Sequence, residues 1–101
     1  MSHIEKSQNL LQITQTALEY ARQSEWEKAQ ELEEKRQQIA RELFATSVPE
    51  SEITEVRACV DKVFELNSEL IQLGRAEKQA VVSAMQKIRK GSAAQQAYKN
   101  Y

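Results

Sequence analysis

The chain has 101 residues, 14 of them basic and 15 acidic, for a net charge of -1. That is one small domain, too balanced in charge for a dedicated nucleic-acid binder, which needs a basic face to neutralise phosphates. Hydrophobic residues at 41% and charged residues at 29% exclude a disordered chain. Two Gly and one Pro leave too few turns for a sandwich, a barrel or a repeated βα architecture.

The single Cys excludes an internal disulfide framework or a zinc cluster and fits a reducing compartment. The first residues lack the basic start and apolar core of a signal peptide. No apolar run approaches the roughly 20 residues needed to cross a bilayer. The expected location is the cytoplasm, with no membrane contact.

A first helix is predicted from Ile4 to Arg22, with Leu11, Thr14, Ala17 or Leu18, and Ala21 forming one apolar stripe. A second helix is predicted to start at Ser24, which can accept a backbone N–H while Glu27 reaches back in a capping box. Its seam is Trp26, Ala29, Leu32, Arg36, Ile39 and Leu43, heptad-like with one charged member. Pro49 must end it, because proline lacks an N–H and disfavours helix at Val48. Ser47 to Glu50 offers a second capping box.

A third helix then runs to about Lys90, with continuity at Gly74 favoured, because a lone Gly costs only about 1 kcal/mol against Ala. Ile53, Val56, Val60, Val63, Asn67, Leu70, Gly74, Glu77, Val81, Ala84 and Ile88 mark its stripe. Lys87, Arg89 and Lys90 suit the negative end of the helix dipole, and Gly91 is a natural C-terminal cap.

Short connections make neighbours antiparallel, so the expected fold is an all-α, antiparallel, up-down-up three-helix bundle. Residues 1–90 form the bundle and residues 91–101 a short tail packed on the third helix. The first two helices reach about 30 Å and the third about 57 Å, leaving roughly 25 Å of overhang. That overhang still carries Ala80, Val81, Ala84, Met85 and Ile88. An uncovered apolar stripe needs a cover: the tail, a second copy in a homodimer, or a client.

Catalysis is not expected, and no cofactor or metal is implied. His3 is the only histidine and sits near a terminus prone to fray. Cys59 reads as a small, partly buried hydrophobe. Glu31, Glu33, Glu34 and Glu42 interleave with Lys35, Arg36 and Arg41 as a solvated face. An all-helical chorismate mutase shares this size, with Arg22, Arg36, Arg57 and Arg75 as its candidate dianion clamp. However, the long helix is last here rather than first, and size with composition is a weak warrant.

Four residues have two readings. Trp26 either closes the end of the bundle, against Ala21 or Leu18, or anchors a client. Arg36 either snorkels its head to solvent or pairs with Glu77 or a partner carboxylate. Asn67 either sets register through a polar neighbour or is solvated at the stripe edge. Tyr98 either ends a frayed tail or docks its ring on the overhang.

With these residues in view, the chain resembles the FliT family of flagellar export chaperones. The likeness rests on Ser24-Glu25-Trp26-Glu27 with Leu32 and Arg36, on Asn67 with Leu70 and the basic, apolar helix that follows, and on Lys90-Gly91 leading to Ala97-Tyr98. The resemblance implies a chaperone that holds the filament-cap (FliD-type) protein before export by the flagellar type III apparatus. It implies that the client's C-terminal segment folds on the chaperone's apolar surface, in competition with the chaperone's own C-terminal helix. Some members also bind the export ATPase complex and a flagellar master transcription regulator; the tail to Tyr101 is short for the latter role. On this reading Leu70, Leu73, Glu77, Val81, Met85 and Ile88 form the client surface. Ala94, Ala97 and Tyr98 form the regulatory tail that masks it.

Overall fold

The computed structural model describes the backbone of residues 2–99 and the side chains of residues 2–87. It is all-helical: α1 (His3–Arg22), α2 (Trp26–Phe44), a one-turn 3-10 helix (Glu50–Glu52) and α3 (Ile53–Lys99), with no strand among the described residues. Ser2 starts α1, its hydroxyl accepting the Glu5 N–H at 3.1 Å.

The turn between α1 and α2 is built differently from the expected capping box. Ser24 lies at φ 61°, the left-handed region. Its N–H donates to the Ala21 carbonyl at 3.0 Å, and the Glu25 N–H donates to the Tyr20 carbonyl at 2.8 Å. These paired bonds make a Schellman ending for α1, with Ser24 in the place usually taken by Gly. A residue held there cannot adopt the extended backbone of an N-cap. Glu25 therefore precedes α2, with no side-chain cap bond.

The Ser47–Glu50 box does not form either. Pro49 is extended at ψ 141°, and the chain then winds through the 3-10 turn into α3 without a side-chain cap. Proline still ends α2, as its missing N–H requires.

Helix α3 runs unbroken through Gly74, as expected, and through Gly91, where an end was expected. Residues 91–99 therefore extend the third helix. One glycine costs little against a flank of good helix formers such as Ala93, Ala94, Gln95 and Gln96.

Both other helices pack against α1. Its buried face is Ser7, Leu10, Thr14, Ala17, Leu18 and Ala21. Small side chains let the neighbouring backbones approach closely. The two buried hydroxyls are satisfied within the helix, Ser7 donating to the Ile4 carbonyl at 2.8 Å and Thr14 to the Leu10 carbonyl at 2.7 Å. The apolar centre is Leu10, Leu43, Val56 and Val63, ringed by half-buried Ile4, Leu11, Ile39 and Val60.

Polar ties fix the relative placement of the helix ends. His3 Nε2 lies 3.0 Å from the Thr46 hydroxyl, and His3 Nδ1 lies 3.9 Å from a Glu52 carboxylate oxygen. His3 is thus half-buried between the end of α2 and the start of α3, rather than fraying. At the other end of α1, Arg22 donates to Glu69 at 2.6 Å. Past Glu69, Leu70, Leu73 and Gly74 are still half-buried, and every residue from Arg75 to Lys87 is exposed. The body of the molecule ends there, while α3 continues for about 37 Å to Lys99. The molecule measures 77 × 20 × 19 Å, a short bundle with a long rod emerging from it.

Candidate functional site

The apolar stripe along α3 changes character at Gly74. Leu70 and Leu73 are partly covered by the body. Beyond them Glu77, Val81 and Met85 face solvent, with Val81 48% and Met85 56% exposed. Spacings of three and four residues put Leu70, Leu73, Glu77, Val81 and Met85 on one helical face. The described part of the expected client surface is therefore one continuous face, its first two members half-sheltered and its next three open. The side chains of Ile88, Ala94, Ala97 and Tyr98 lie outside the described residues.

Arg36 departs from the expected snorkelling. The whole residue is only 9% exposed. Nη1 donates to Glu33 Oε2 at 2.9 Å and Nη2 donates to Asn67 Oδ1 at 2.8 Å, while Nε is enclosed with no partner. The other anticipated partner, Glu77, is exposed. Asn67 fulfils the register reading, because its amide oxygen is the acceptor that ties α3 to α2. A buried guanidinium demands such acceptors, since an unpaired charge away from water is costly.

Trp26 is half-buried at the start of α2, and its indole N–H is enclosed without an acceptor. Cys59 is a free, half-buried thiol, as its place beside Val60 predicts.

A cleft between two helices leaves no mark in the periodicity of either. Between α2 and α3 runs an open cleft floored by Leu10 and walled by Ala40, Val60 and Val63, with Arg36 and Asn67 at one end. Phe44 and Phe64 stand at its edges, 62% and 65% exposed. Each lies one position beyond a stripe residue, Leu43 or Val63, so the stripes pass them over. The available signal was simple: two of the largest apolar side chains in a small chain fell on neither seam.

Among the described residues no group of His, Cys, Asp and Glu is placed to hold a metal ion. No helix of the described residues is long and apolar enough to cross a membrane. Fold and surface together define an elongated all-helical protein whose exposed apolar surface lies along α3 and beside the α2–α3 cleft. The chain belongs to the FliT family: the family model described as "Flagellar protein FliT" matches residues 4–100. No curated protein and no solved structure matches the chain.

Proposed function

We propose that this protein is a non-enzymatic flagellar export chaperone, and that the free end of α3 seats a C-terminal helical segment of a filament-cap protein. The carrying observation is that α3 leaves the body at Gly74 with Val81, Val82 and Met85 exposed. The family match supports the flagellar setting. An amphipathic client helix laid along this face buries anchors spaced three and four residues apart. A few hundred Å² of apolar area buried at about 25 cal/mol/Å² yields several kcal/mol before ordering costs. The half-buried Leu70 and Leu73 extend the seat back to the body, where the bundle, in its up-down-up form, holds α3 rigid.

The same reading gives Ala94, Ala97 and Tyr98 a masking role. Masking requires the chain to turn back at Gly91, where glycine tolerates a positive φ. A tethered segment of this kind competes through its high effective concentration. The family reading also carries a cytoplasmic location for the chaperone and contact with the export ATPase complex.

Titration calorimetry of the C-terminal segment of a filament-cap protein into the full chain tests this. The account predicts saturable binding that tightens when residues after Lys90 are removed. No binding to either form, by calorimetry at two temperatures and by fluorescence anisotropy, would refute the chaperone reading. Binding with unchanged or weaker affinity in the shortened form would refute masking alone.

A further inference from the structure

Charge is divided unevenly along the rod. Residues 1–74 hold fourteen acidic and eight basic side chains, whereas residues 75–101 hold one acidic and six basic. A chain of net charge -1 is therefore an acidic body, at -6, joined to a basic extension, at +5. The division falls where α3 emerges, between Gly74 and Arg75. Of the described side chains past that point, Arg75, Lys78 and Lys87 are basic, Glu77 alone is acidic, and all are exposed. Helical spacing puts Arg75, Lys78 and Val82 on adjoining positions, and Lys78 next to Val81. A shallow surface depression is lined by Arg75, Lys78, Gln79 and Val82. Arg75 and Lys78 thus border the apolar face made by Val81 and Met85 on its Val82 side, and Glu77 borders it on the other.

We infer that the free end of α3 takes an acidic amphipathic helix, with apolar anchors on Val81 and Met85 and carboxylates facing Arg75 and Lys78. This rests on the proposed client seat and specifies its occupant. Two packed helices lie 8–10 Å apart in general, and screening in physiological salt acts over about 8 Å, so charges flanking such a contact still count. Pairing two copies of the extension would set +5 against +5, so the charge opposes contact of one extension with another. Nucleic acid would meet the acidic body beside the bases. An anionic membrane would gain the bases, but among the described side chains of the extension the exposed large apolar residues are Val81, Val82 and Met85, none of them aromatic. An acidic helix gains at the extension and is repelled by the body, which steers it to the correct end.

The test uses the full chain and two designed helical peptides of identical apolar register, one flanked by Glu and one by Lys, read by fluorescence anisotropy. Binding of the Glu peptide is expected to be at least about tenfold tighter at low salt, with the advantage shrinking as salt rises. The R75E/K78E variant should reverse the preference, and R75A/K78A should abolish it; circular dichroism checks that both stay helical. Equal binding of the two peptides, or a Glu preference unchanged in both variants, overturns the inference. Capture by phosphatidylserine vesicles without Glu-peptide binding overturns it in favour of a membrane. If the Glu peptide binds as described while the filament-cap segment does not, the chaperone reading fails and the acidic-helix seat stands. If the cap segment binds indifferently to R75E/K78E, the reverse holds.

Discussion

Arg36 and Asn67 join α2 to α3 through a single hydrogen bond of 2.8 Å from the guanidinium to the amide oxygen. Glu33 holds a second nitrogen of the same buried side chain. Removing the amide strands donors of a charged group away from water, which costs more than the bond itself contributed. Asn67→Ala should lower unfolding stability by about 1–3 kcal/mol in urea melts. The double variant Arg36→Met/Asn67→Leu should recover most of that loss, because an apolar pair of similar volume leaves no charge buried. A double variant as unstable as Asn67→Ala would show that the pair itself, rather than its disruption, sets the cost.

Ser24 occupies a left-handed backbone conformation that glycine adopts freely. Among the described residues its hydroxyl has no hydrogen-bond partner that would offset the strain. Ser24→Gly should therefore raise the melting stability by up to about 1 kcal/mol. A loss on thermal denaturation would mean that the serine hydroxyl caps α2 after all.

At Gly74 an added Cβ would meet nothing within 4 Å. Gly74→Ala should stabilise α3 by about 0.5–1 kcal/mol, since glycine in a helix interior carries an entropic cost. The gain should appear locally, as slower amide exchange on either side of residue 74. Faster exchange there would indicate a packing conflict absent from this structure.

Core and extension should respond oppositely to truncation. Leu43 is 0% exposed at the centre of the apolar cluster, so Leu43→Ala should cost about 2–5 kcal/mol. Met85 is mostly exposed, so Met85→Ala should stay within about 0.5 kcal/mol of the parent. Urea midpoints of the two variants give the comparison directly; a large loss for Met85→Ala would mean that its face is already covered within the protein.

The number of helices, their order and their main breaks were legible because apolar spacing and Pro49 act locally. Thr14, Ala17, Leu18 and Ala21 are buried on α1, and Ala29 and Leu43 on α2, where the stripes put them. Capping was less legible, because a serine after a helix serves equally as the end of one element or the start of the next. Only the tertiary turn decides that Ser24 closes α1. Arg36 shows a second limit: a charged residue on a seam is buried or solvated according to acceptors supplied from elsewhere, here from Asn67, 31 positions away. Phe44 and Phe64 show a third, since a cleft between two helices belongs to neither periodicity. The basic extension was present in the residues, yet its meaning depends on where the body stops, which the Arg22–Glu69 tie and the exposure beyond Gly74 reveal.

The proposed seat of the client is the emergent end of α3, and not the cleft on the body. It is tested most directly by titrating one filament-cap segment into three proteins: the parent, Val81→Glu/Met85→Glu, and Phe44→Ala/Phe64→Ala. The account predicts that binding is lost in the first variant, with its unfolding midpoint unchanged, and retained in the second. Retained affinity in Val81→Glu/Met85→Glu with loss in Phe44→Ala/Phe64→Ala would contradict it and move the seat to the α2–α3 cleft.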